Sequence, residues 1–157
     1  MLNKPVGFVC SRDGQGSQTV YELLPSKYQS LQTVGRLDKD SSGLILLTND
    51  GILNNQLSHP SSNKTKIYTV ETDREISTQD FNKINNNGVD IGDKRLSVFG
   101  IQDLDFKNTY QIKISEGRNR QIRRTLKALG YNVKSLNRTN FADYELGNLK
   151  PGSLKVL

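Results

Sequence analysis

The chain has 157 residues, with 22 lysines and arginines against 16 acidic residues, a formal charge of +6 and a hydrophobic fraction of 34%. That is room for one domain with a modest core, and the charge points to a polyanion such as RNA or DNA, with a merely soluble basic surface as the competing reading. One cysteine, Cys10, and one histidine, His59, cannot make a disulfide framework or an ordinary Cys/His metal shell, which suits a reducing cytoplasm; the absence of a long apolar run or a secretory leader gives no reason to expect a membrane.

In chain order, Val6–Cys10 and Leu44–Thr48 read as strands. Gly14–Gln15–Gly16 lacks the Lys-Ser/Thr of a phosphate-cradling loop and reads as a turn. Asp50–Ser58 reads as a short helix closed by His59–Pro60, and a Ser/Asn-rich loop then leads into the alternating strand Lys66–Thr72. Ser77 suits an N-cap, Phe81 and Ile84 make a sparse apolar stripe, and Gly88 suits the stop. Val89–Ile91, Leu96–Gln102 and Thr109–Ser115 read as strands, the last with Tyr110, Ile112 and Ile114 in strict alternation. Asn119 is expected to open the best helix, which carries Ile122, Leu126 and Leu129 and stops at Gly130. Val133–Asn137 and Phe141–Leu146 complete a strand-rich end. These elements predict an α+β fold: one domain over residues 1–157, a mixed, mostly antiparallel sheet and a few flanking helices.

Two segments carry chemistry. In Gly35–Arg36–Leu37–Asp38–Lys39–Asp40–Ser41–Ser42–Gly43, an acidic turn bounded by glycines runs directly into an apolar strand. A carboxylate there sits at the mouth of a buried strand, held by backbone and close to positive charge, although Asp in such a turn also commonly caps backbone N–H groups. A glycosidase pair of Asp38 and Asp40 is the other option, but two residues of separation do not make them converge on one bond, and the chain has no Trp to serve as a sugar platform.

The second segment, Glu116–Thr125, packs Arg118, Arg120, Arg123 and Arg124 together. Arg120, Arg124 and Lys127 share one helix face, and Ile122, Leu126 and Leu129 take a neighbouring one. Arg123 falls on the border, able to reach inward to a carboxylate while its neighbours point to phosphates. Glu116 is the only nearby acid in sequence, so an RNA face is favoured over a solvated surface paired with carboxylates. Tyr68, on an alternating strand, is a packing residue or a base-stacking one. His59 is assigned no chemistry, and Cys10 reads as a small buried hydrophobe.

Leu2–Asn3–Lys4–Pro5–Val6–Gly7, Gly35–Arg36–Leu37–Asp38, Gly43–Gly51, Lys66–Val70, Glu116–Arg124 and Val133–Arg138 occur in that order. Together they resemble the RsuA-type ribosomal RNA pseudouridine synthases, most closely members that act on large-subunit RNA. The resemblance implies a single catalytic domain over 1–157 with a central RNA-binding cleft, and no S4-type domain before it. It implies Asp38 as the catalytic aspartate, Tyr68 as the aromatic packed against the target uracil, and Arg123 as the partner that keeps Asp38 ionised. Leu136 would be the apolar wall beside the base, with Arg36, Arg118, Arg120 and Arg124 holding phosphates.

The implied reaction isomerises uridine in ribosomal RNA to pseudouridine in a cytoplasmic monomer, with neither cofactor nor metal consumed. A flipped or single-stranded uridine is the implied substrate. The rival is a non-catalytic ribosomal RNA-binding or assembly factor on the same fold, which would keep the basic helix but need not keep Asp38, Tyr68 and Arg123 together.

Overall fold

Alternation and capping dictate most of the elements in the computed structural model, which describes residues 1–157 apart from the side chain of Pro60. The strands are β1 (Leu2–Lys4), β2 (Gln32–Val34), β3 (Ser42–Thr48), β4 (Lys66–Thr72), β5 (Gly100–Phe106), β6 (Thr109–Ile114), β7 (Val133–Phe141) and β8 (Tyr144–Glu145); the helices are α1 (Gly51–Ser58), α2 (Thr78–Asn82) and α3 (Gln121–Ala128). One eight-stranded sheet runs β1-β3-β7-β4-β6-β5, with β2 on β3 and β8 on β7. Only β3 and β7 pair in parallel; the other pairs are antiparallel. The mixed, mostly antiparallel α+β architecture is thus the one the sequence predicts.

β3 explains why the sheet can be covered on both faces. Its apolar run sends Ile45 into one buried cluster and Leu44 and Leu46 into another. The first cluster gathers Leu37, Tyr68, Val70, Tyr110, Ile112 and Leu136 under Ile122 and Leu126 of α3. The second joins Leu44 and Leu46 to Leu57 of α1 and to Phe141. Asp50 caps α1 by accepting from the N–H groups of Ile52 and Leu53 at 2.8 and 3.0 Å, and Ser77 caps α2 from Asp80 N–H at 3.2 Å.

β3 and β7 are joined only over Ser42↔Asn137 and Gly43↔Arg138 before they part. Arg138 fills the gap: its Nε donates to the Leu44 carbonyl at 2.8 Å, and its guanidinium lies 5.0 Å from the Phe141 ring centroid. A buried strand carbonyl left without a ladder partner is thereby satisfied. β7 continues along β4, with Tyr68 opposite Arg138 and Val70 opposite Leu136, after a bulge beside Ile67.

Four expected elements need correction. The first strand is Leu2–Lys4, not Val6–Cys10; Pro5 cannot donate to a ladder, and Gly7 turns at φ +96°. Val89 makes a single bridge with Ser97, so Val89–Ile91 is not a strand and β5 starts only at Gly100. α3 is capped by Arg120, not Asn119, with Arg120 in the left-handed region at φ 46°. Val133–Asn137 continues unbroken to Phe141, because β4 pairs with it along that whole length. Among the described residues, no helix is long and apolar enough to cross a membrane.

Candidate active site

The turn between β2 and β3 carries Asp38, and backbone stitches fix it from below. Leu37 N–H donates to Cys10 Sγ at 3.4 Å, and the Cys10 thiol lies 3.6 Å from the Leu37 carbonyl. Gly7 N–H donates to the Lys39 carbonyl at 2.8 Å, and Ser41 N–H to that of Asp38 at 3.1 Å. Cys10, read from sequence as a small hydrophobe, is therefore also a polar clasp on the residue before Asp38. The Asp38 side chain remains 38% exposed. A fixed backbone with an accessible carboxylate is the arrangement a substrate-facing acid requires.

α3 approaches this turn with its N-terminus. Arg120 is bidentate to Asp40, at 2.8 Å from Nη1 and 2.6 Å from Nη2, and its Nη1 is also 3.6 Å from Asp38 Oδ2. Arg123 donates from Nη2 to the Asp40 carbonyl at 2.7 Å, and its Nε is 3.3 Å from Asp40 Oδ2. The expected Arg123–Asp38 pair is thus replaced by Arg123–Asp40, and Arg120 is the arginine beside Asp38. The reason is local: the left-handed backbone at Arg120 starts α3 one residue later than Asn119 would. That arrangement brings both arginines over Asp40.

Asp40 becomes the anchor of the turn. The hydrogen bonds from Arg120 hold its carboxyl below the ordinary carboxylate range, with the Arg123 charge adding to them against partial burial. The same bonds raise Arg120, whereas burial lowers Arg123. A carboxyl lowered in the folded state contributes stability that is fully present above its unfolded value of about 4 and is lost as pH falls through the folded value. Asp40→Asn should therefore lower the melting temperature at neutral pH. The pair is half exposed, so the loss is about 1 kcal/mol or less. Melts of both proteins across the acid range check this: the difference should shrink as pH falls through the lowered folded value of Asp40.

Tyr68 and Leu136 are diagonal neighbours on one face of the β4–β7 ladder, both buried in the cluster that contains Leu37 and Ile122. An apolar surface with one aromatic ring thus lies in the same cluster as the residue preceding Asp38. Arg36 is exposed beside the turn.

Arg118 and Arg124 are engaged within the chain. Arg118 donates to Asp93 at 3.3 Å, to Glu116 at 2.9 Å and to the carbonyls of Arg95 and Leu96. Arg124 reaches Asp93 at 2.7 Å and also the Ile91 carbonyl. Together they fasten the 89–97 loop to the start of α3, and the Arg124 hydrogen bond holds Asp93 below its ordinary value. Sequence spacing offers only Glu116 as a neutralising acid; Asp93 and Asp40 arrive from loops 25 and 80 residues away.

These features match a known class. A family model described as RNA pseudouridylate synthase matches residues 1–128. The chain therefore belongs to the RNA pseudouridylate synthase family. It is 34% identical to the ribosomal large subunit pseudouridine synthase E of Vibrio parahaemolyticus, over all of this chain and 72% of that protein. It is 33% identical to the ribosomal large subunit pseudouridine synthase B of Bacillus subtilis, over all of this chain and 65% of that one. A crystal structure of a pseudouridylate synthase superposes with a TM-score of 0.88 at 31% identity, covering 97% of this chain and 66% of the other.

Proposed function

We propose that this protein isomerises uridine to pseudouridine in ribosomal RNA, with large-subunit RNA as the substrate. The observation that carries the reading is an exposed Asp38 carboxylate on a rigid turn, adjoining the apolar cluster of Tyr68 and Leu136 and facing Arg120. The names of the relatives support the choice of RNA.

The reaction breaks the bond between ribose C1′ and uracil N1, turns the base and joins C5 to C1′; the hydrogen leaves C5 and N1 gains one. Atoms balance without an external reactant. Asp38 acts on the ribose, as nucleophile at C1′ or as base at C2′, and both roles require the ionised form. Arg120 supplies the adjacent positive charge, with Arg123 acting through Asp40 to hold the turn.

The target uridine must leave the RNA stack, at a cost of a few kcal/mol. Stacking on Tyr68 and contact with Leu136 offset that cost, since base–aromatic stacking is worth about 1–3 kcal/mol. Arg36 and Arg120 hold flanking phosphates, and Arg118 and Arg124 add positive potential around them, so binding weakens with salt.

Pseudouridine mapping of ribosomal RNA from cells with and without the protein tests this reading. One large-subunit position should be lost and then regained when the purified protein is added to that RNA. An unchanged map would favour the non-catalytic binding factor.

A further inference from the structure

Gly100 opens β5 opposite Lys113 of β6, and neither its backbone nor its packing demands a glycine. Its φ lies outside the left-handed region, and a Cβ there would meet only Lys113, 3.6 Å from the carbonyl oxygen and 3.7 Å from Cβ, an ordinary contact. The missing side chain instead leaves room for a cavity of about 390 Å³. A strand glycine commonly marks a place where a ligand comes close to the backbone.

The cavity floor is apolar, made by Val98, Phe99 and Ile114, and its rim carries Asn63, Lys113 and Glu116. Val98, 42% exposed, and Leu96, 52% exposed, both lie against Gly88 and form an apolar ledge beside it. Cations flank this ledge. The Arg95 side chain is 82% exposed and 3.8 Å from Glu116, and Lys94 and Lys113 are exposed as well. Glu116 is already paired with Arg118 at 2.9 Å. An apolar floor under several cations suits an unpaired nucleotide, with the base on the floor and phosphates on the cations.

Two connections tie the cavity to the target site. Arg118 donates to the carbonyls of Arg95 and Leu96 at 2.7 and 3.0 Å, and two residues later Arg120 reaches Asp38. Lys66 shares a strand face with Tyr68, and its Nζ donates to the carbonyl of Ser115, which lines the cavity, at 3.4 Å. A second bond from that ammonium goes to the Lys64 carbonyl, so one of its three donors is left for a phosphate.

We propose that the cavity over Gly100 is a second nucleotide subsite. It holds the base of an unpaired nucleotide close to the target uridine in the same strand, with phosphates on Lys66, Arg95 and Lys113. The inference rests on the RNA-modifying reading of the site and adds a demand on the substrate: single-stranded RNA beside the flipped uridine.

The test uses the full chain with Gly100→Val, which fills the cavity, and Arg95→Ala. Two probes are a mixed-sequence single-stranded RNA oligomer, read as Kd, and a large-subunit RNA fragment spanning the modified uridine, read as kcat and KM. The fragment is used intact and with each flanking nucleotide made abasic in turn. Gly100→Val should weaken the oligomer and raise KM about tenfold, the size of one stacked base, with kcat nearly unchanged. One abasic position should raise the wild-type KM equally and cost Gly100→Val nothing further. Arg95→Ala should weaken binding and lower its salt slope by about one. If melting curves show Gly100→Val unfolded, Val98→Asp, at an exposed position, replaces it. A folded variant with wild-type Kd and KM overturns the subsite, and so does a loss that adds in full to every abasic loss. A weakened oligomer with no pseudouridine formed by the wild type overturns the catalytic reading and leaves the subsite standing.

Discussion

Asp38→Asn should leave a folded, RNA-binding protein that makes no pseudouridine. The amide has the shape of the carboxylate, so the turn keeps its Ser41–Asp38, Gly7–Lys39 and Cys10–Leu37 contacts. The charge that would attack C1′ or deprotonate C2′ is gone. Proton transfer by a positioned group alone contributes about 10²–10⁴-fold, and loss of a nucleophile costs more, so kcat should fall by at least about 10³-fold. Stability should change little: the Arg120–Asp38 approach is 3.6 Å, partly exposed and secondary to the Arg120–Asp40 pair, which places its worth below about 1 kcal/mol. Release of the C5 hydrogen from labelled RNA, measured beside RNA affinity and a melting curve, separates these effects. Turnover within tenfold of wild type would remove Asp38 from the chemistry.

How far the sequence foretells this site depends on the range of the interactions concerned. Lys66–Thr72 was legible to the residue because a period-two pattern states its own strand, and the Ser77 cap was legible because its side chain bonds backbone three residues on. Asp38 stood out for a similar reason: glycine-bounded turns and the apolar run of β3 are local features.

The partner of each arginine was not legible. Asp40 and Asp93 come from turns that only the completed sheet brings to α3, and spacing along a helix fixes a face without naming what meets it. The exchange of Arg123 for Arg120 beside Asp38 follows from one left-handed residue at the helix start, a conformation that sequence does not announce for arginine. The burial of Lys4 was not legible for the opposite reason. A lysine reads as surface, and its burial follows from β1 ending where β3 has a glycine and from the turn closing over both.

That glycine carries the second large expected effect: Gly43→Ala should destabilise the protein and silence it without touching a proposed catalytic group. Gly43 sits at φ +106°, and a Cβ there would lie 2.2 Å from the Arg138 carbonyl oxygen and 2.6 Å from its nitrogen. Both are backbone atoms of the strand it pairs with, so no rotamer change relieves the clash and β7 must withdraw. Ser42–Asn137 and Gly43–Arg138 are the only pairs joining β3 to β7, so withdrawal also frees the Arg138–Leu44 hydrogen bond and strands a buried guanidinium. Left-handed strain of about 1–2 kcal/mol and overpacking of about 1–3 kcal/mol sum to roughly 3 kcal/mol or more. In a domain of this length that lowers the melting temperature by about 10 °C. Activity should fall even well below the melt, because Tyr68 and Leu136 ride on β4 and β7 while Asp38 rides on the turn into β3, and this seam sets their spacing. Gly35→Ala is the control: nothing lies within 4 Å of its Cβ, so only backbone strain at φ +67° applies and the melting shift should be a few degrees at most. A Gly43→Ala protein that melts with the Gly35→Ala control and retains turnover would show that β7 can shift without moving the base-binding residues away from Asp38.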